Sequence, residues 1–213
     1  MRIVMSTLDF ILNKFNIDPS QRSPIQLPIS RHGLAKLFCE LGFKHGAEIG
    51  VETGLYSRAL CHYNPDLTLY CVDAWRVFRS YRDHTSQSKL DKFYEKAKER
   101  LKPYNARIIR QFSLDAVKEF KDRTLDFVYI DAAHDFQNAT NDICEWGKKV
   151  KPNGIIAGHD YENHKGKSLI HVKQVVDGYT QAYEIRPWFT TNTDEDEQGV
   201  GLKTARSWLW VKP

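Results

Sequence analysis

From Gly46 onward, short apolar runs alternate with helical stripes, and this alternation restricts the fold more than any other feature of the chain. Residues 46–51, 67–73, 106–112 and 125–130 read as strands, and Ile155 and Ile156 form a fifth behind Pro152-Asn153-Gly154. Helical patterns lie between and after them. They cover 55–63; then Leu90, Phe93, Ala97 and Leu101; then Leu114, Val117 and Phe120; then Phe136, Ala139, Ile143, Trp146 and Val150; and finally 169–183. Short apolar strands separated by helices belong in a parallel sheet covered on both faces. The end of the chain departs from this pattern. Tyr183 to Thr190 and Ser207 to Val211 read as consecutive strands with no helix between them, so they form a hairpin and the last strand runs antiparallel.

The segment 1–45 reads differently. Leu8, Ile11, Leu12 and Phe15 have helical spacing, 18–28 carries three prolines and reads as a loop, and Leu34, Leu37, Phe38 and Leu41 form a second stripe stopped by Gly42. These helices are expected to be an edge cover, a lid or a homo-oligomer contact for a domain spanning 46–213. With 41% hydrophobic residues in 213, the chain can bury a full core. Lysine and arginine are dispersed among acids at a net charge of +4, which argues against a nucleic-acid partner. Cys39, Cys61, Cys71 and Cys144 lie far apart with no C-x-x-C pair, and three of them sit in apolar patterning, as reduced, buried thiols of a cytoplasmic protein do. No apolar run approaches the roughly 20 residues of a membrane span, and the first residues lack the layout of an export signal.

Chemistry concentrates at the strand ends. Gly46-Ala-Glu-Ile-Gly-Val-Glu-Thr-Gly54 is a strand carrying Glu48, a turn at Gly50, and a second glycine, Gly54, before a helix. The glycines remove Cβ atoms that would keep a ligand from the backbone, and the helix start offers N–H groups. Asp73 ends the next strand at about the 20-residue interval expected of a ribose-binding carboxylate, whose two oxygens suit two hydroxyls. Asp131 follows the buried run Phe127 to Ile130, where a charge must be paired, metal-bound or facing a cleft. His134 has the side chain suited to taking a proton near neutral pH, a helix-capping role being the plainer alternative. His159 and Asp160 end the fifth strand next door, and with Asp131 they make a candidate set for a hard cation such as magnesium.

With these residues in this order, the chain resembles the class I S-adenosylmethionine-dependent methyltransferases, and within them the small bacterial O-methyltransferases of sugars and natural products. The most distinctive match is Asp126-Phe-Val-Tyr-Ile-Asp-Ala-Ala-His134, then Trp146, then Lys151-Pro-Asn-Gly-Ile-Ile-Ala-Gly-His-Asp-Tyr161. Glu48-x-Gly50-x-x-x-Gly54 departs from the commoner acid-x-Gly-x-Gly-x-Gly in having Glu52 at the middle glycine. The resemblance implies an α/β fold with a doubly wound, Rossmann-like, seven-stranded and mostly parallel sheet, helices on both faces, and a C-terminal antiparallel hairpin. It implies S-adenosylmethionine as cofactor, held by Glu48, Gly50, Gly54, Asp73, Ser113 and Asp131, with Ser113 at the adenine. It also implies methyl transfer to an oxygen of a small hydroxylated acceptor, with Asp131 and His134 as the catalytic pair. Some relatives hold a divalent cation at comparable strand ends and others work without one; here the candidate ligands are Asp131, His159 and Asp160, and the expected ion is magnesium.

Two other functions share part of the pattern. A nicotinamide-dependent oxidoreductase would use the first turn and Asp73, but it wants G-x-G-x-x-G and needs no terminal hairpin. A non-catalytic adenosyl-binding protein would keep the fold without the chemistry. Several residues stay open between roles: Trp75 beside the adenosine or in the core, Ser113 as adenine contact or helix cap, Tyr161 and His164 in the acceptor pocket or at its rim, and Tyr81 to His84 in the acceptor site. The acidic run Asp194 to Glu197 reads as a solvated loop.

Overall fold

The computed structural model describes residues 5–78, 86–163, 170–193 and 205–213. The readings placed on 81–84, His164 and 194–197 lie outside these residues. The elements in chain order are α1 (Thr7–Lys14), β1 (Ile25–Gln26), α2 (Arg31–Glu40), β2 (His45–Ile49), α3 (Leu55–Tyr63), β3 (Thr68–Val72), α4 (Gln87–Leu101) and β4 (Ala106–Ile109). They continue with α5 (Ser113–Ala116), β5 (Leu125–Ile130), α6 (Phe136–Lys149), β6 (Val150–Gly158), α7 (Val172–Ala182), β7 (Phe189–Thr190) and β8 (Trp208–Val211).

The strands form one sheet in the order β1-β7-β8-β6-β5-β2-β3-β4. β2 pairs in parallel with both β3 and β5, and β8 runs antiparallel to both β6 and β7, which is the terminal hairpin expected from the sequence. Among the described residues the sheet has eight strands rather than seven. The extra one, β1, comes from the proline-bearing segment read as a loop, and pairs Ile25 with Phe189 at the sheet edge. A two-residue strand has no alternation to betray it. β7 is shorter than the run 183–190 because Tyr183 is the C-cap of α7 and Pro187, with no N–H, cannot join a ladder.

β5 explains why this sheet reads as apolar throughout. Phe127 and Tyr129 pack into one cluster with Ile11, Leu34, Phe38, Leu60 and Ala97, whereas Val128 and Ile130 pack into another with Ile143, Trp146, Val176, Trp208 and Trp210. Successive side chains point to opposite faces, and both faces carry helices. Each large side chain so buried contributes about 1.5–3 kcal/mol. α1 and α2 therefore share the first core with α3 and α4. Of the cysteines, Cys61 and Cys71 are buried, Cys144 is half-buried and Cys39 is exposed, so two rather than three fit the buried expectation; all are free thiols. Among the described residues, no helix is long and apolar enough to cross a membrane.

Candidate active site

The strand-end residues picked out in the sequence converge because the ladder continues one residue past each strand. The Gly50 N–H donates to the Val72 carbonyl (2.9 Å), Asp73 N–H to Ile109 (3.2 Å), Asp131 N–H to Ile49 (2.7 Å) and His159 N–H to Ile130 (3.0 Å). A cavity of about 810 Å³ opens along this edge, with Glu48, Gly50, Asp73, Ser113, Asp131 and His159 in its wall. That volume is in the range of ligand clefts generally.

At one end, backbone shape dominates. Gly50 has φ +91°, and a Cβ there would stand 1.9 Å from the Asp131 carbonyl oxygen, so only glycine lets the turn pass the end of β5. Gly54 takes φ +74° as the residue that opens α3. Glu52 adopts φ +51°, a left-handed conformation that costs an L-residue roughly 1–2 kcal/mol. That is why a glycine suits this position. Asp73 holds the turn together: its Oδ2 accepts the N–H groups of Val51 and Glu52, both at 3.0 Å, and its Oδ1 accepts the Trp75 N–H at 2.8 Å. Burial pushes this carboxyl up, against the pull of those three donors. A carboxylate has about four acceptor positions, so the protein's own backbone leaves one for a ribose hydroxyl where the sequence suggested two. Trp75 is buried, donates its indole N–H to the Glu52 carbonyl (2.7 Å), and packs on Tyr94 with ring centroids 5.0 Å apart. It is a wall that braces the turn.

Glu48 is buried beneath the turn and accepts a hydrogen bond from the Ser57 hydroxyl. Burial pushes its carboxyl up to about 8, helped by Asp131 and Asp73 and opposed by Ser57 and Arg31. Ser113 is the first residue of α5, and the capping position belongs to Phe112. Its hydroxyl donates to Asp142 and accepts the Trp146 indole N–H at 2.8 Å. Burial raises Asp142 to about 7 despite the bond from Ser113.

At the other end, charges dominate. His134 Nε2 lies 2.9 Å from Asp160 Oδ2 and 3.6 Å from Asp131 Oδ1, and His159 Nδ1 lies 3.4 Å from Asp160 Oδ1 and 3.9 Å from Asp131 Oδ2. Burial alone would lower the His134 imidazole; the two carboxylates outweigh it and raise it to about 10. The same histidines hold Asp160 far below the usual carboxylate range although burial opposes them. The loop bearing His134 is fixed on both sides. Asp135 caps α6 by accepting the Asn138 N–H (3.1 Å), and the His134 carbonyl accepts the His171 N–H (2.8 Å) at the start of α7. One candidate ligand atom from each of Asp131, His134 and Asp160 falls within 4.8 Å of the others, so the tightest donor group contains His134 where the sequence suggested His159. Tyr161 turns away from the cleft: its hydroxyl donates to Asp177 (2.7 Å) and its ring packs on Trp188.

Comparison with known proteins fits this arrangement. A family pattern described as a methyltransferase domain matches residues 47–161, from the strand that carries Glu48 to the end of the β6 acids. The chain belongs to that family. It is a class I S-adenosylmethionine-dependent methyltransferase. Its fold is similar to that of an O-methyltransferase from Bacillus cereus solved with SAH, at 16% identity, TM-score 0.59, and 97% of this chain on 90% of that one. It is similar also to the O-methyltransferase TomG of Streptomyces achromogenes, involved in tomaymycin synthesis and solved with SAM, at 16% identity, TM-score 0.57, and 95% on 86%. An rRNA methylase from Streptococcus thermophilus matches at 10% identity and TM-score 0.57, over 85% of this chain and 93% of that one. Comparison with the sequences of curated proteins returns no match.

Two residues of the methyltransferase cleft escaped sequence reasoning. Arg31 of α2 and Asp142 of α6 both line the cavity. Each had a readable signal, a charge placed on an apolar stripe. Arg31 shares a helix face with Leu34, Ala35 and Phe38, and Asp142 with Ala139, Ile143 and Trp146.

Proposed function

We propose that this methyltransferase transfers the methyl group of S-adenosylmethionine to an oxygen of a small hydroxylated acceptor, with Asp131 and His134 handling the acceptor's proton. The observation that carries the reading is the His134 imidazole set between two carboxylates, beside the turn that approaches Asp131. The sulfonium already makes the methyl electrophilic, so the protein's tasks are in-line placement and removal of the hydroxyl proton. Glu48, Gly50, Gly54, Asp73 and Ser113 serve placement, with Asp131 between the two tasks. His134 serves proton removal. Because its carboxylate neighbours raise it to about 10, the unprotonated fraction is the working base, and kcat rises with pH through neutrality toward that value.

The donor chemistry also suits a divalent cation. Asp131, His134 and Asp160 would hold it, the imidazole then serving as a ligand and not as the base; the ion would supply Lewis acidity toward the acceptor hydroxyl. Two carboxylates favour magnesium or manganese, and the imidazole shifts the preference toward the transition metals.

The test is a panel of small hydroxylated compounds incubated with methyl-labelled cofactor, with and without chelator. An O-methylated product is expected, and His134→Ala should lower kcat about 10²–10⁴-fold while S-adenosylhomocysteine affinity stays within threefold. Unchanged kcat in His134→Ala would remove the histidine from the mechanism. Cofactor binding with no turnover on any acceptor would favour the non-catalytic adenosyl-binding alternative.

A further inference from the structure

The strand order decides which way a cofactor lies. β3 and β4 lead into Ala74, Phe112 and Ser113, β2 and β5 into Gly50 and Asp131, and β6 into His159 and Asp160. With the ribose at Asp73 and the adenine toward Ser113, the amino-acid end of the cofactor falls at the opposite pole, over Glu48, where α2 and α3 close the cavity with Arg31, Leu55 and Tyr56. That end carries an ammonium and a carboxylate. The strand ends at this pole offer Asp131, which suits the ammonium but repels the carboxylate, and Glu48, whose buried carboxyl keeps its proton and gives the carboxylate no positive partner. Arg31 supplies the opposite charge, whereas Arg76, the other arginine among the described wall residues, lies beyond Asp73 on the adenosine side.

Arg31 is also held in place. Its guanidinium carbon sits 5.2 Å from the centroid of the Tyr56 ring, and the Tyr56 hydroxyl donates to the Arg31 carbonyl at 3.0 Å. Tyr56 belongs to α3, the helix that the glycine turn opens, so turn and guanidinium are positioned by one element. We propose that Arg31 binds the carboxylate of the methionine moiety of S-adenosylmethionine. An arginine fork matches a carboxylate with two parallel hydrogen bonds. α2, which lies outside the residues 47–161 of the family pattern, is then part of the cofactor site as well as cover for the core. The inference rests on the methyl-transfer reading.

The experiment compares two ligands on two proteins: S-adenosylhomocysteine and its decarboxylated analogue, which keeps the amine, titrated into the wild type and Arg31→Met. Methionine keeps the length of the stem over Tyr56. S-adenosylhomocysteine should bind the variant roughly 10- to 100-fold more weakly, as expected for a lost charge-assisted contact, and the analogue should change by less than threefold. Equal weakening of both ligands, or no weakening of either, would overturn the assignment while leaving the methyltransferase reading intact. Wild-type protein that binds neither ligand would sink that reading and this one with it. If Arg31→Met does not fold, Arg31→Lys is read the same way: a selective loss for the carboxylate-bearing ligand supports the proposal and an equal loss overturns it.

Discussion

The two ends of the cleft are built by different means. The end we propose for the cofactor is a matter of main chain: Gly50 and Gly54 at positive φ, and three N–H groups gathered onto Asp73. The end we propose for the acceptor is a matter of side chains: two carboxylates and two imidazoles on loops, drawn together by charge. The difference teaches which substitutions each end tolerates. A main-chain site fails when a Cβ or a backbone acceptor changes, and its failure reaches the fold. A side-chain site loses chemistry while the fold and the cofactor contacts persist.

The sharpest way to break this contrast is Gly50→Ala. The added Cβ would meet the Asp131 carbonyl at 1.9 Å and the residue would keep a φ of +91°. A loss of about 3 kcal/mol or more is expected in denaturant unfolding, together with loss of S-adenosylhomocysteine binding. Wild-type stability in this variant would mean that the turn does not depend on close backbone approach.

Next in size is a pH effect at the floor of the cofactor end. Burial raises Glu48 from 4.5 to about 8. Between these values the unfolded chain has lost the proton and the folded chain keeps it, so folded stability falls as pH rises through that window. The fall is at most about 5 kcal/mol, and Glu48→Gln should flatten it. Asp142, raised to about 7, adds a decline beginning near its ordinary value of 3.8, and Asp142→Asn separates the two. Below pH 6.5, where His134 adds no slope, a slope left unchanged by both substitutions would show that neither acid is buried in its neutral form.

Asp73→Asn follows. The amide nitrogen must replace one acceptor oxygen and face a backbone N–H, leaving a donor unpaired. That costs about 1–3 kcal/mol, and S-adenosylhomocysteine affinity should drop at least tenfold. If affinity falls without any loss of stability, Asp73 acts on the ribose more than on the turn.

The same division explains what could be read in advance. The strand ends were legible because β5 must be apolar on both faces, so the acid after Ile130 and the glycine after Ile49 mark where burial stops. Roles within the site were less legible, because they depend on distances between loops far apart in sequence. His134 reads alone as a neutral-pH base, and only the proximity of Asp131 and Asp160 turns it into a group titrating near 10. Asp73 reads as a ligand for two hydroxyls until its bonds to Val51, Glu52 and Trp75 are counted. β1 was hidden by its length, and Arg31 by its place in a helix that looks like cover.

The smallest effect probes the same contrast at a single residue. Glu52 sits in a left-handed conformation at the position where the commoner turn has glycine, and its N–H is one of those held by Asp73. Its carboxylate also stands close enough to Asp73 to raise that group. Glu52→Gly removes a backbone cost of roughly 1–2 kcal/mol and gives back about 0.4–1 kcal/mol through the freer unfolded chain. The net expectation is a gain of about 0.5 kcal/mol, a rise in Tm of one or two degrees for a chain of this size, with S-adenosylhomocysteine affinity within threefold. If the cofactor end is a main-chain device, this substitution is tolerated because the N–H stays where Asp73 needs it. A loss of affinity beyond tenfold with stability intact would show that the Glu52 side chain reaches the cofactor, and the main-chain description of that end would then fail at this position.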